Sequence, residues 1–333
     1  MSPRSRRTRP YPLRVALLAA AVAAETCTPF KPDLASDLDA LASPALAGVN
    51  DNGPDAGAHR ACDLSKPFGA PTLVPGLESS GSVLIDHLVL SPDSLTGYFS
   101  EFSMNAVHTS WGLYTARRPT VSGPFEIAGT LGDTTATNDE RAPTVSGDGL
   151  TLIFALSANG GPYQLRYGVR TGLDVPFDRA GPVPGLPHSM EGGIGFLLED
   201  GRVLYVASST TTGKSDIYQA AWSGSAFDSP VPVAELNTPF DESNPAVTPD
   251  DRTIYFNSNR PSVAGQGSWQ IWTSTRASTN DPFSAPTNVT ELNSTDGRRP
   301  TFVSRDGCAL YFDTFESGIF PTGAQYVAEK PAQ

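Results

Sequence analysis

Five short stretches of the sequence carry acids that could do chemistry: "VLIDHL", "NDERAP", "SMEGGI", "FDESNP" and "TDGRRP". The acids are Asp86, Asp139 with Glu140, Glu191, Asp241 with Glu242, and Asp296. Gathered at one place, such carboxylates would favour a cationic ligand, and their hard oxygens suit Ca2+. A pair about 5–10 Å apart would do something else: protonate a glycosidic oxygen while activating water or attacking the sugar. In that chemistry Asp86 would be the base, Glu191 the acid and Glu140 the group that tunes it. Arg141, Arg298 and Arg299 stand beside the acids and would neutralise part of their charge. The same residues also suit a structural task, because acids recurring at a fixed place cap turns by accepting backbone N–H groups. Asp86 stands about one residue out of line with the others.

What positions these acids is a text that returns five times. "LSPDSLTGYFS", "VSGDGLTLIFA", "LLEDGRVLYVA", "VTPDDRTIYFN" and "VSRDGCALYFD" place turn aspartates at Asp93, Asp148, Asp200, Asp250 and Asp306, every 50 to 56 residues. That period marks stacked supersecondary units. In each copy an apolar pair precedes an Asp turn, which β-branched and aromatic residues follow as a strand. A third strand comes next ("GLYTARR", "QLRYGVR", "DIYQAAW", "QIWTSTR", "AQYVAEK"), then a proline-rich segment suited to a sheet edge. Four such edge segments lie between the copies. The fifth, "KPFGAPTLVPGLES", precedes the first copy, and none follows "AQYVAEK". A ring explains the displacement, with the early segment completing the last sheet and removing the open edges.

The expected fold is therefore all-β: a five-bladed β-propeller over residues 62–330, its N-terminal strand completing the last blade. The blades are expected at about 81–134, 135–186, 187–237, 238–293, and 294–330 together with 66–79. Cys62 would begin the closing strand and Cys308 lies in the last blade, so a disulfide between them would fasten the seam. Pairing of Cys62 with Cys27 is the competing arrangement.

The stretch "NPAVTPDDRTIYFNSNRPSVAGQGSWQIWTSTRASTNDPFSAPTNVTELN" resembles the TolB-like, or WD40-like, Pro-Asp propeller repeats of exported bacterial proteins. The shared features are a turn Asp, a "YF" strand, an "SNRP" loop, an "IW" strand and a Phe-Pro segment ending in Leu-Asn. The third repeat has "EDG" at the turn and lacks the "NRP" loop. The resemblance implies protein interaction or ligand binding. It transfers no catalytic residue.

Residues 1–24 read as a signal peptide, a basic start followed by "VALLAAAVAA", and residues 25–61 as a flexible tether. Cys27 follows the apolar run, where lipid anchoring would occur, although "AAETC" departs from that signal. The place expected is extracytoplasmic: periplasmic, secreted or lipid-anchored. Cleavage would take the net charge from −12 to about −17, which argues against nucleic acid as a partner. No later segment is apolar enough to span a bilayer. His59, His87, His108 and His188 lack metal-ligand spacing, and no nucleotide loop or nucleophile elbow occurs.

The function expected is a monomeric, non-catalytic propeller binding a protein or envelope ligand through its channel face or loops. The candidate residues are Asp86, Glu140, Arg141, Glu191, Glu242, Asp296 and Arg298, with no resident metal and Ca2+ as the one ion considered. The alternative is a glycoside hydrolase using Asp86, Glu140 and Glu191.

Overall fold

The computed structural model describes residues 62–79, 83–104, 109–131, 138–187, 190–209, 213–262, 269–315 and 324–333. These residues form five antiparallel sheets of four strands. The first blade holds β2 (Val83–Leu90), β3 (Thr96–Met104), β4 (Thr109–Arg117) and β5 (Glu126–Thr130). The second holds β6 (Asn138–Val145), β7 (Thr151–Ala158), β8 (Gln164–Val169) and β9 (Asp178–Pro182). The third holds β10 (Glu191–Leu197), β11 (Val203–Ser209), β12 (Ser215–Ala221) and β13 (Val231–Pro232). The fourth holds β14 (Glu242–Val247), β15 (Thr253–Ser258), β16 (Gln270–Thr275) and β17 (Thr287–Asn288). The fifth holds β18 (Gly297–Val303), β19 (Ala309–Phe315) and β20 (Gln325–Glu329), and its outer strand is β1 (Thr72–Leu73). The first strands touch in succession, β2 to β6 to β10 to β14 to β18 and back to β2, so the ring is closed.

Closure follows the displaced strand expected from the sequence. Thr72 and Leu73 pair with Val327 and Tyr326, and Cys62 forms a bridge with Ala332. Cys62 and Cys308 are disulfide-bonded across 246 residues of chain. Constraining so long a loop stabilises by about 2–4 kcal/mol.

The turn aspartates act alike in every blade. Asp93, Asp148, Asp200, Asp250 and Asp306 each accept the N–H two residues on, from Leu95, Leu150, Arg202, Arg252 and Cys308 at 2.9–3.1 Å. In four blades the hydroxyl before the turn (Ser91, Ser146, Thr248, Ser304) donates to the same carboxylate. The third repeat has Leu198 there, matching its weaker pattern.

A second repeated device, not anticipated from the sequence, joins the blades. Arg118, Arg170 and Arg276 each follow a third strand. Each donates from Nε to a turn carbonyl (Ser94, Gly149, Asp251) at 2.7 Å. From Nη2 each reaches the tyrosine hydroxyl of the preceding blade (Tyr311, Tyr98, Tyr205) at 3.2–3.3 Å. Each lies over a buried Phe of its own edge segment (Phe125, Phe177, Phe283) at 4.3–4.5 Å. Lys330 covers Phe68 in the same way at 4.4 Å, which docks the early segment onto the last blade. At the junction of the second and third blades both partners change. Trp222 replaces the arginine and packs on Phe227, while Ile153 replaces the tyrosine. Large aromatic side chains fill the junctions beside these clamps. Phe99, Phe256 and Phe312 are completely buried, and each contributes roughly 1.5–3 kcal/mol.

Candidate functional site

Each first strand is interrupted by a bulge, after Asp86, Arg141, Glu191, Ser243 and Pro300. Before the bulge, side chains alternate between two faces. Counting back from each turn aspartate, Ile85, Glu140, Glu242 and Arg298 occupy one position, and Asp86, Arg141, Ser243 and Arg299 the next. The two sets have opposite surroundings.

The first set packs toward the preceding blade. Glu242 is fully buried and accepts from Thr238 N, Thr238 Oγ1 and Ser258 Oγ at 2.6–2.8 Å, with Arg260 Nη2 at 3.0 Å. Glu140 lines a cleft of about 1260 Å³ between the first two blades, beside Thr115, Arg166 and Phe154. Arg298 lies 5.1 Å over Phe312 and donates from Nε to Ser294 Oγ at 3.1 Å. Asp139 and Asp241, one residue earlier, accept Trp111 N and Ser215 N from the preceding blade at 3.0 Å. Asp296 is exposed ahead of β18. The backbone of Glu191 pairs with Ser209, and its side chain lies outside the described residues.

Asp86, Arg141 and Arg299 of the second set lie close enough to act on one another where the first strands close the ring. Arg299 donates from Nε to Asp313 Oδ1 at 2.7 Å and from Nη2 to Asp86 Oδ1, so it links the fifth blade to the first. The N–H of His87, which adopts φ 55°, donates to Asp313 Oδ2 at 3.2 Å. Gln325 Nε2 donates to Ile85 O at 3.0 Å beside them. Burial pushes the Asp86 carboxyl up, but Arg299 and Arg141 outweigh it and hold the group well below the usual range. Burial pushes Asp313 far up, and the neighbouring Asp86 charge adds to the rise against the pull of Arg299. The two carboxyl groups that Arg299 joins are thus pushed in opposite directions. Burial also lowers His87 to about 4, leaving its imidazole neutral at pH 7.

Arg141 sits at the same repeat position as Arg299 but in different company. Its guanidinium lies 3.8 Å over the Trp111 ring and 5.9 Å from the Tyr163 ring. Its cross-strand neighbour is Ala155, where Arg299 has Asp313. Arg141 Nε is buried with no hydrogen-bond partner among the described residues, as are His87 Nε2 and Asn257 Oδ1. Asn257 is the cross-strand neighbour of Ser243, at the corresponding level of the fourth blade.

The described axis is therefore of mixed charge rather than a ring of acids. Of the acids read as candidates, Asp86 is paired there, while Glu140 and Glu242 face the other way. Among the described residues no three His, Cys, Asp or Glu side chains converge to hold a metal ion. The residues sequence reasoning passed over are Asp313 and Ala155. Their signal was the residue after the aromatic of the second strand, Asp in "YFD" but Ala in "IFA".

No protein-family model matches the chain, and no curated protein does. Solved structures do. An endo-arabinase from Bacteroides thetaiotaomicron is 14% identical with a TM-score of 0.50, covering 78% of this chain and 97% of that one. TolB from Acinetobacter baumannii is 16% identical with a TM-score of 0.42, and the match spans 77% of this chain but only 56% of that TolB. A putative TolB from Agrobacterium tumefaciens is 20% identical with a TM-score of 0.44, covering 72% of this chain and 73% of that one. At these identities the likeness is one of fold alone, shared with the endo-arabinase.

Proposed function

We propose that this chain is a non-catalytic, exported propeller that binds a ligand or partner at the axis of its ring. One observation carries the reading. The carboxylate Asp86 is held by Arg299, while Glu140 lines the cleft between the first two blades and Glu242 is enclosed by Thr238, Ser258 and Arg260. A glycosidase needs two carboxyl groups standing about 5–10 Å apart across a sugar. The trio Asp86, Glu140 and Glu191 gains no support as such a set, since Glu140 lies on the opposite face of its strand from Arg141 and so from the axis.

Export is supported by the basic-then-apolar start of the chain and by the disulfide, a bond that persists in oxidising compartments. The partner class is a protein or an envelope ligand, met by a monomer. Two measurements test this. A broad glycan panel should show no turnover above buffer, whereas hydrolysis abolished by Glu191→Gln would replace this reading with the enzymatic one. Binding of a ligand should disappear in Ser243→Trp, which fills the axis. Binding that survives this variant would move the site elsewhere.

A further inference from the structure

Resting on that reading, we propose that the ring axis recognises the carboxylate of a small acidic molecule, with Arg141 as the residue that receives it. Four observations lead there. First, the two arginines at this level are matched unequally. Arg299 has both Asp86 and Asp313 as partners. Arg141 has no ion pair among the described residues, because Ala155 stands where an aspartate answers the equivalent arginine. The nearby Asp139 is directed to the Trp111 N–H.

Second, Arg141 is held in a receiving posture. Contact with the Trp111 ring, 3.8 Å below its Cζ, holds the guanidinium in place. A carboxylate matches a guanidinium with two parallel hydrogen bonds, which an ammonium group cannot reproduce. Third, Arg141 Nε is a buried donor without a partner. Buried polar groups are nearly always satisfied, by protein, water or ligand. Fourth, the same level carries two more such atoms on side chains that are almost wholly buried: His87 Nε2 (2% exposed) and Asn257 Oδ1 (1% exposed). These would orient the rest of the molecule by hydrogen bonding. A cation finds little here, since Asp86 and Asp313 are both already engaged by Arg299.

The test is calorimetric titration of the intact mature protein with glucuronate, succinate, inorganic phosphate and glucose. Both carboxylates should bind, and glucose, which lacks the charge, should bind at least about tenfold more weakly, the loss expected for one charge-assisted hydrogen-bonded contact. Arg141→Gln and Ala155→Asp should each weaken the carboxylates at least about tenfold, the second by giving Arg141 an internal counter-charge. Thermal unfolding identifies any variant that fails to fold, in which case the other decides. Carboxylates that do not bind, or that bind both folded variants as tightly as the wild type, overturn the inference. Phosphate binding more tightly than either carboxylate replaces the proposed class with a tetrahedral oxyanion and overturns it too. Glucose binding lost in Ser243→Trp but indifferent to Arg141→Gln overturns this inference while leaving the axial binding reading standing. Loss of binding by all four probes counts against this inference alone, and a ligand found elsewhere on the ring counts against the broader reading.

Discussion

Arg299 and Arg141 stand at the same position of two repeats, seven residues before Asp306 and Asp148. Arg299 is enclosed by two carboxyl groups and fastens the seam where the ring closes. Arg141 lies on an indole, with a buried donor unanswered. One substitution on the neighbouring strand separates them, Asp313 in the fifth blade and Ala155 in the second. The repeat thus supplies the same cation twice. The local partner decides whether it is consumed by the architecture or left to a ligand.

The sharpest way to break this comparison is to remove each arginine in turn. Arg299→Ala leaves Asp86 and Asp313 facing one another without a cation, and should destabilise the fold by about 3–5 kcal/mol in denaturant unfolding. Arg141→Ala removes stacking on Trp111 with weaker interactions toward Tyr163 and Asp86, and should cost about 1 kcal/mol. Equal losses would erase the distinction. Next in size is the disulfide at the same seam: Cys62→Ser with Cys308→Ser should lower stability by about 2–4 kcal/mol. An unchanged melting temperature would mean that strand pairing alone closes the ring.

The interblade clamps should be weaker. Tyr205→Phe removes a hydroxyl that donates to Asp251 Oδ1 at 2.7 Å and receives Arg276, and should cost about 1–3 kcal/mol. The dry junction offers a matched contrast. Ile153→Tyr with Trp222→Arg would rebuild the clamp between the second and third blades, and each single change should be worse than the pair in a double-mutant cycle.

The most specific effect is a pH slope at the seam. The Asp313 carboxyl is raised in the fold to about 8. Its neutral form is therefore favoured by folding, so its stabilising contribution is complete below the unfolded value near 4 and is lost as pH rises toward 8. Asp86 is lowered to about 2, so its contribution is present above the unfolded value and lost only as pH falls toward 2. Wild-type stability should decline between about pH 4 and 8, and Asp313→Asn should flatten that decline. A slope identical in the two proteins would remove Asp313 as its source.

The architecture was legible because it is written five times. Turn aspartates, aromatic residues in the second strand and Phe-Pro edges survive even where the third repeat degenerates, and the displaced first edge segment could be explained only by closure. The candidate site was less legible because a strand changes face at every residue. The acids at Glu140 and Glu242 and the acid at Asp86 differ by one position in alignment, and that single step turns the first two into the blade junctions and Asp86 to the axis. A bulge beside each of them hides the change of face from a reading by composition or spacing. The clamping arginines were visible at the ends of the third strands, yet their tyrosine partners lie a whole blade away, at a distance of 71 to 193 residues in sequence.

The most direct test is a crystal structure of the mature protein grown with glucuronate, viewed at the level of Arg141. The account predicts a ligand carboxylate against the Arg141 guanidinium, which stays over Trp111, and Arg299 still joined to Asp86 and Asp313. An Arg141 turned instead onto an internal carboxylate such as Glu191, with no ligand beside it, would contradict it.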